Sequence, residues 1–309
     1  MSLAALLRTA WGDPMLRMIG GVILLFGAYA ASLGIHQSLL ATRTFGLSDG
    51  AYAWVLAGIT AASVGSAVAI GVATDRHPWR RRLAAGSAAL ALLGTLLVWL
   101  AEAPWAFLLA HLLLLPPAAS LLGQSFAVVR LATQGRPPEE RAGLLAVMRS
   151  LFAVPFVLVL PLWALVLRDD AALPLLYPAL AGLLLVLVAL ILRAWPPDGT
   201  APWVEARSGL GVLASLREIG QGPVLGRTAL IGAAQAGGAA GGIVIGLIFA
   251  GAGRAPGDVG LFFAAFVVVE IGVTLMLGRL SRVPRLALIA LGAAGYALYL
   301  GLLPFLAGS

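Results

Sequence analysis

Residues 51–101 read AYAWVLAGITAASVGSAVAIGVA (51–73), TDRHPWRRR (74–82) and LAAGSAALALLGTLLVWLA (83–101). Two long apolar runs are thus joined by a short turn holding Arg76, Arg80, Arg81 and Arg82. A helix needs roughly 20 apolar residues to cross a hydrocarbon core of about 30 Å, and each run is of that order. Barrel strands would be about ten residues long with alternating polarity, so the continuity of these runs selects helices. Working outward, the same reading finds nine runs: 17–42, 51–73, 83–101, 105–128, 144–167, 174–195, 224–250, 258–280 and 285–307. The first is too long for a signal peptide and carries no small-residue cleavage site, so it reads as a retained span. The expected fold class is an all-α membrane protein with nine transmembrane helices.

Composition agrees. Of 309 residues, 61% are hydrophobic and 11% charged, with a mean hydropathy of +1.00. Soluble domains carry about a quarter charged residues, so a soluble enzyme and a disordered chain are both excluded. All 20 basic residues are arginine and the net charge is +7. That charge would suggest nucleic acid in a soluble protein; here it maps onto topology instead. With the N-terminus cytoplasmic, segments 1–17, 74–82, 129–149, 193–227 and 279–285 face inward and hold 17 of the 20 arginines. Only Arg43, Arg168 and Arg254 remain outside. The positive-inside rule therefore predicts a cytoplasmic N-terminus and an external C-terminus. Cysteine is absent, which excludes disulfides, thiolate metal sites and cysteine nucleophiles.

The longest polar stretch, Trp195–Gly222, contains Pro196, Pro197 and Pro202. It divides the chain into a six-helix half (1–195), a cytoplasmic linker (196–222) and a three-helix remainder (223–309). Within the linker, SGLGVLASLRE (208–218) has apolar residues at helical spacing and predicts a surface helix. The turn Gly278-Arg-Leu-Ser-Arg282-Val-Pro284-Arg285 after run eight echoes the turn after run two, which suggests an internal repeat of two multi-span halves.

The turn Gly71-Val-Ala-Thr-Asp75-Arg76-His-Pro-Trp-Arg80-Arg81 resembles the signature between spans two and three of the major facilitator superfamily, with Pro78 where that signature has its second glycine. Gln124-Ser-Phe-Ala-Val-Val-Arg130, Met148-Arg149-Ser150-Leu-Phe with Pro155 and Pro161, and Gly260 through Ile271 ending in Gly278-Arg279-Leu280 resemble the sugar efflux branch. Span five lacks the glycine-rich antiporter signature. The superfamily usually has twelve helices, so the resemblance implies a major-facilitator-type bundle from which the last three are missing.

The resemblance implies a secondary transporter, and the residues suggest the roles. Glu270 is the acidic residue near the middle of a span, where an ionised carboxylate is costly, and it is the candidate for proton coupling. Gly71, Asp75, Arg76, Arg80, Arg81 and Arg130 are the gating candidates, because a carboxylate beside an arginine or a helix terminus can latch helices at one membrane face. The sparse polar residues within spans one, four and seven, His36, Gln37, Gln124 and Gln235, suit a hydroxylated solute, with Gln124 and Gln235 preferred. Glycines through 232–246 offer close packing or a hinge, and Pro116–Pro117, Pro155 and Pro161 predict kinks. No metal-ligand spacing, nucleotide loop or Ser/His/Asp set is present, so neither a cofactor nor a metal is expected and the chain does not read as an enzyme.

The expected function is proton-coupled efflux of a small polar solute, a sugar or related compound, across a bacterial inner membrane. A drug or metabolite exporter and a truncated, non-transporting membrane protein are the alternatives. The expected partners are the small-molecule substrate, protons and the lipid bilayer, without nucleic acid. A complete chain is expected to be monomeric.

Overall fold

The computed structural model describes residues 3–200, 203, 211–277 and 285–307, and among them it is helical with no strand. A short α1 (Leu3–Gly12) leads into α2 (Pro14–Leu39), which ends in a π-helical turn, Leu40–Thr44. Then come α3 (Asp49–Arg76) and α4 (Arg80–Ala101). The fourth predicted span is broken into α5 (Pro104–Leu109), a π turn (Ala110–Leu114), a 3-10 turn (Pro116–Ala119) and α6 (Ser120–Ala132). After α7 (Pro138–Val166), α8 (Leu176–Ala194) closes the first half. A linker helix, α9 (Val212–Ile219), precedes α10 (Gly222–Gly251), α11 (Pro256–Leu277) and α12 (Arg285–Ala307).

Among the described residues, five helical segments are long and apolar enough to cross a bilayer: Pro14–Thr44, Asp49–Arg76, Arg80–Ala101, Pro138–Val166 and Asp170–Ala194. The broken fourth span makes six if its two halves, bent by 41°, count as one. Pro116 and Pro117 cause the break, since neither can donate to the helical ladder. By contrast, Pro155 and Pro161 lie within an uninterrupted α7. Helices α10, α11 and α12, of 30, 22 and 23 residues, occupy the last three predicted runs. The second basic turn (278–284) and linker residues 204–210 lie outside the described residues, as does the side chain of Gln235. Of the stretch 208–218 expected as a surface helix, the residues from Val212 onward are helical in α9.

The surface belongs in lipid. Leu93, Leu100, Leu158, Leu162, Leu165, Leu185 and Val186 are all exposed, a density of apolar surface that a water-soluble monomer does not carry. The exposed tryptophans sort to the two ends of the helices, with Trp11 and Trp79 at the arginine-rich end and Trp54, Trp99 and Trp105 at the other. That is the aromatic belt of a bilayer-spanning bundle. The chain is an all-helical membrane protein.

Helix α2 is central. It packs against α7, α8 and α6 on one side and against α10 and α11 on the other. The core between these helices is aliphatic, including Ile19, Ile23, Leu144, Met148, Leu184 and Leu187. Asp13 starts α2 by accepting from the backbone N–H groups of Met15 (2.9 Å) and Leu16 (3.2 Å), with Pro14 in the first turn. The same carboxylate pairs with Arg136 at 3.0 Å, and Arg136 also reaches Glu140 at 2.7 Å. The start of α2 is thereby fastened to the loop before α7.

The later helices join the first six along one seam. The N–H of Gly257 donates to the carbonyl of Leu167 at 2.9 Å. A methyl group at Gly257 would sit 2.7 Å from the Ala164 Cα, and one at Gly246 would sit 2.6 Å from the Ser38 Oγ. Ala264 is buried with Ala31 and Leu160. All of these contacts lie toward the arginine-poor end of the bundle. Toward the other end, residues 222–230 of α10 and 268–271 of α11 are exposed. The two sets of helices are therefore closed together at the arginine-poor end and parted toward the arginine-rich end.

Candidate functional site

The basic turn after α3 is built from local contacts. Thr74 Oγ1 donates back to the Gly71 carbonyl at 2.7 Å, and the rings of His77 and Trp79 stack 4.2 Å apart across Pro78. Trp79 has no side-chain oxygen to cap α4, and the cap comes from the linker instead. Asp198 accepts from the Arg81 N–H at 2.8 Å and pairs with Arg82 Nε at 3.4 Å. The Arg81 guanidinium donates to the Leu192 carbonyl at the end of α8. Arg81 thus ties the turn to the end of the six-helix half.

Beside this turn, at the arginine-rich end, a cavity of about 530 Å³ opens between α3 and α6. Gly71, Asp75 and Arg80 line one side, and Ser120, Gln124 and Arg130 line the other. Four of the six gating candidates and the preferred substrate residue of span four therefore share one space. Among the described residues no ion pair joins Asp75 to Arg130, and a methyl at Gly71 would meet nothing within 4 Å.

Gln124 is buried at the cavity wall. Its amide donates to Ser120 Oγ at 2.9 Å, and Ser120 Oγ in turn donates to the Pro117 carbonyl at 2.7 Å. The carbonyl oxygen Oε1 of Gln124 has no partner. A buried amide oxygen without a donor is costly, and because Oε1 has almost no accessible surface, a hydroxyl or N–H group in the cavity reaches it only if the side chain turns. The rest of the wall mixes polar side chains such as Thr74, Asp75, Arg130 and Gln134 with apolar ones such as Ile70, Ala127 and Leu131, which suits a small solute with donors as well as acceptors.

The remaining candidates are elsewhere. Arg76 is exposed on the last turn of α3. Glu270 is exposed on α11, three residues beyond Val267, the last buried residue of this helix among the described ones. Gln235 lies on α10. His36 and Gln37, adjacent in sequence, point in different directions. Gln37 donates to His111 Nδ1 at 2.7 Å. His111 Nε2 then carries the hydrogen and donates to the Tyr177 hydroxyl at 3.2 Å, while the ring stacks on Phe107 at 4.0 Å. His36 is fully buried in the seam.

Two features of this region escaped the sequence reading. Asp198 sits in a linker where nothing marks a partner 117 residues earlier in the chain. The chain Gln37–His111–Tyr177 joins spans one, four and six, and its one sequence signal is that each residue is polar within an apolar run. Among the described residues no group of three His, Asp or Glu side chains is placed to hold a metal ion. Compared with protein-family models and with characterised proteins, the chain matches none.

Proposed function

We propose that this chain is a secondary active transporter of the major facilitator type that moves a small polar solute across a bacterial inner membrane, with the arginine-rich end cytoplasmic. The observation that carries the reading is the shared cavity. Residues of the signature-like turn (Gly71, Asp75, Arg80) and of α6 (Gln124, Arg130) line one space at the end where the helices have parted. Alternating access needs a solute site with a gate on one side and a closed seam on the other. In this reading the structure is the inward-open state. Gln124 and Gln235 contact the solute, with Gln37 held back by His111. Asp75 and Arg130 latch when the cytoplasmic side closes, and Glu270 exchanges protons with the cytoplasm. The favoured substrate is a sugar or a related hydroxylated compound moved outward, because side-chain amides and hydroxyls of Gln124, Gln134, Ser120 and Thr74 line the cavity.

The test is counterflow in proteoliposomes with labelled sugars against a panel of cationic and lipophilic drugs. Saturable sugar counterflow, lost in Gln124→Leu, supports the reading. Counterflow of drugs alone moves the assignment to a drug or metabolite exporter. Absence of flux for both panels from a folded protein overturns transport and leaves a non-transporting membrane protein.

A further inference from the structure

The seam between the two sets of helices encloses an ionisable ring. His36 on α2 has no exposed surface. Its Nδ1 lies 2.8 Å from the Ser32 carbonyl one turn earlier. A carbonyl only accepts, so Nδ1 carries the hydrogen and Nε2 is left as a bare lone pair. That Nε2 has no hydrogen-bond partner among the described residues. It faces α11: a methyl built on Gly260 would lie 3.6 Å from Nε2 and 3.2 Å from the Leu160 carbonyl on α7. Ser32, which orients the ring, is itself held, since its Oγ accepts from Trp163 Nε1 at 2.7 Å. The ring is thus fixed from α2 and α7, and its unmatched atom points at the helix that must move away when the seam opens.

We propose that His36 Nε2 is a proton-binding site, and that its protonation opens the arginine-poor end of the seam. The step is a simple association. Nε2 takes a proton from water on the arginine-poor side, no bond breaks, and the imidazolium keeps its Nδ1–H donation to Ser32. With the seam closed, the cation would be enclosed by the Gly260 backbone and Leu160, with neither water nor counter-charge, and such burial is strongly disfavoured. With the seam open, water solvates it. Protons therefore favour the open seam, and closure over the ring requires that the proton leave.

No ionised side chain answers His36 among the described residues. On α2 the nearest ionisable groups are Tyr29, seven residues before it, and Arg43, seven after it. On α7 the basic and acidic residues Glu139, Glu140, Arg141 and Arg149 lie toward the opposite end, and Arg168 follows the helix. Helix α11 carries Asp258 two residues before Gly260 and Glu270 ten residues after it, and α10 carries Arg227 in its first half, with Arg254 in the turn beyond it. None is hydrogen-bonded or ion-paired to the ring. His36 is thus a second ionisable group on the transport path, separate from Glu270. Its role in coupling rests on the transport reading, whereas its control of the seam does not.

The test uses the absence of native cysteine. A single reporter, Ala264→Cys, places a thiol in the closed seam, and Ala171→Cys in the exposed turn after α7, on the same arginine-poor side, normalises for the chemistry of the reagent. Membrane-impermeant maleimide labelling of the full chain in proteoliposomes is followed from pH 8 to pH 5. The normalised rate at position 264 is expected to rise about tenfold on acidification. It stays low at all pH values in His36→Gln and high at all pH values in His36→Arg. A flat profile with His36 intact overturns the proposal, whether or not either variant folds. An unchanged profile in His36→Gln also overturns it. A pH-opened seam without solute flux supports the proton site and overturns transport, and solute flux with a flat labelling profile does the reverse.

Discussion

The backbone N–H of Gly257 donates to the carbonyl of Leu167 across the seam at 2.9 Å. Leu167 follows the last turn of α7 and Gly257 begins α11, so a backbone bond joins two helices that are far apart in sequence. Such an approach needs a residue without a Cβ, and the surrounding distances leave no space for one. The closed end of the bundle is therefore held by backbone contact between small residues, the way membrane helices associate when apolar burial offers no advantage over lipid.

Gly257→Ala should loosen this end. Its methyl would lie 2.7 Å from the Ala164 Cα, 2.9 Å from the Ala164 carbonyl and 3.0 Å from the Leu167 carbonyl. Backbone cannot move aside as a side-chain tip does, so the expected cost to the closed seam is about 1–3 kcal/mol. Thermal unfolding in detergent should fall by several degrees, and a thiol at position 264 should label faster at neutral pH. Unchanged values for both would show that the seam tolerates the group.

Gly71→Leu separates packing from gating. In this state a side chain at 71 points into open space, so thermal stability should stay within about 0.5 kcal/mol of the parent, as at other exposed surface positions. If the cytoplasmic side closes by bringing a helix against Gly71, counterflow should nevertheless drop at least tenfold. Normal flux in this variant would remove Gly71 from the gate.

Asp198→Ala removes the oxygen that reaches the Arg81 N–H at the start of α4, together with the pair to Arg82. Loss of a helix N-cap costs about 0.5–2 kcal/mol. The linker after Trp195 should become more sensitive to limited proteolysis, while Asp198→Asn, which keeps an acceptor, should recover most of the protection.

Gln37 and His111 should be energetically coupled. A double-mutant cycle of Gln37→Leu and His111→Leu, read by thermal or denaturant unfolding, should give a coupling of about 0.6–1.7 kcal/mol, the range for hydrogen bonds between membrane helices. Gln37→Leu alone should cost more than the coupling, because it leaves His111 Nδ1 buried without a donor. A coupling near zero would mean that the two side chains are independently solvated.

How much of the site is legible in the sequence depends on whether neighbours in sequence remain neighbours in space. Gly71, Asp75 and Arg80 stay together because one short turn holds them, and Gln124 and Arg130 join them because they lie on one face of the single helix that packs across that turn. His36 and Gln37 do not stay together. Successive helical residues diverge by about 100°, so one ring enters the seam while the adjacent amide reaches His111. Arg81 and Arg80 diverge in the same way: Arg80 lines the cavity and Arg81 fastens the turn to α8 and the linker. Glu270 draws attention for its charge in an apolar run, and its exposure on α11 is decided by the tertiary structure.

The order of amino acids by itself determined that this is a helical membrane protein, roughly where its apolar helices lie, and which ends carry the arginines. Those properties are local: each helix satisfies its own backbone bonds within lipid, and prolines and polar caps mark its limits. Tertiary structure alone decided which polar side chains meet, which face of each helix is buried, and that the bundle is closed at one end and parted at the other. The physical reason is that rotation and crossing of membrane helices are set by close contact between small residues on different segments. The fits of Gly246 on Ser38, Gly257 on Ala164 and Gly260 beside His36 come into being only when the helices are brought together.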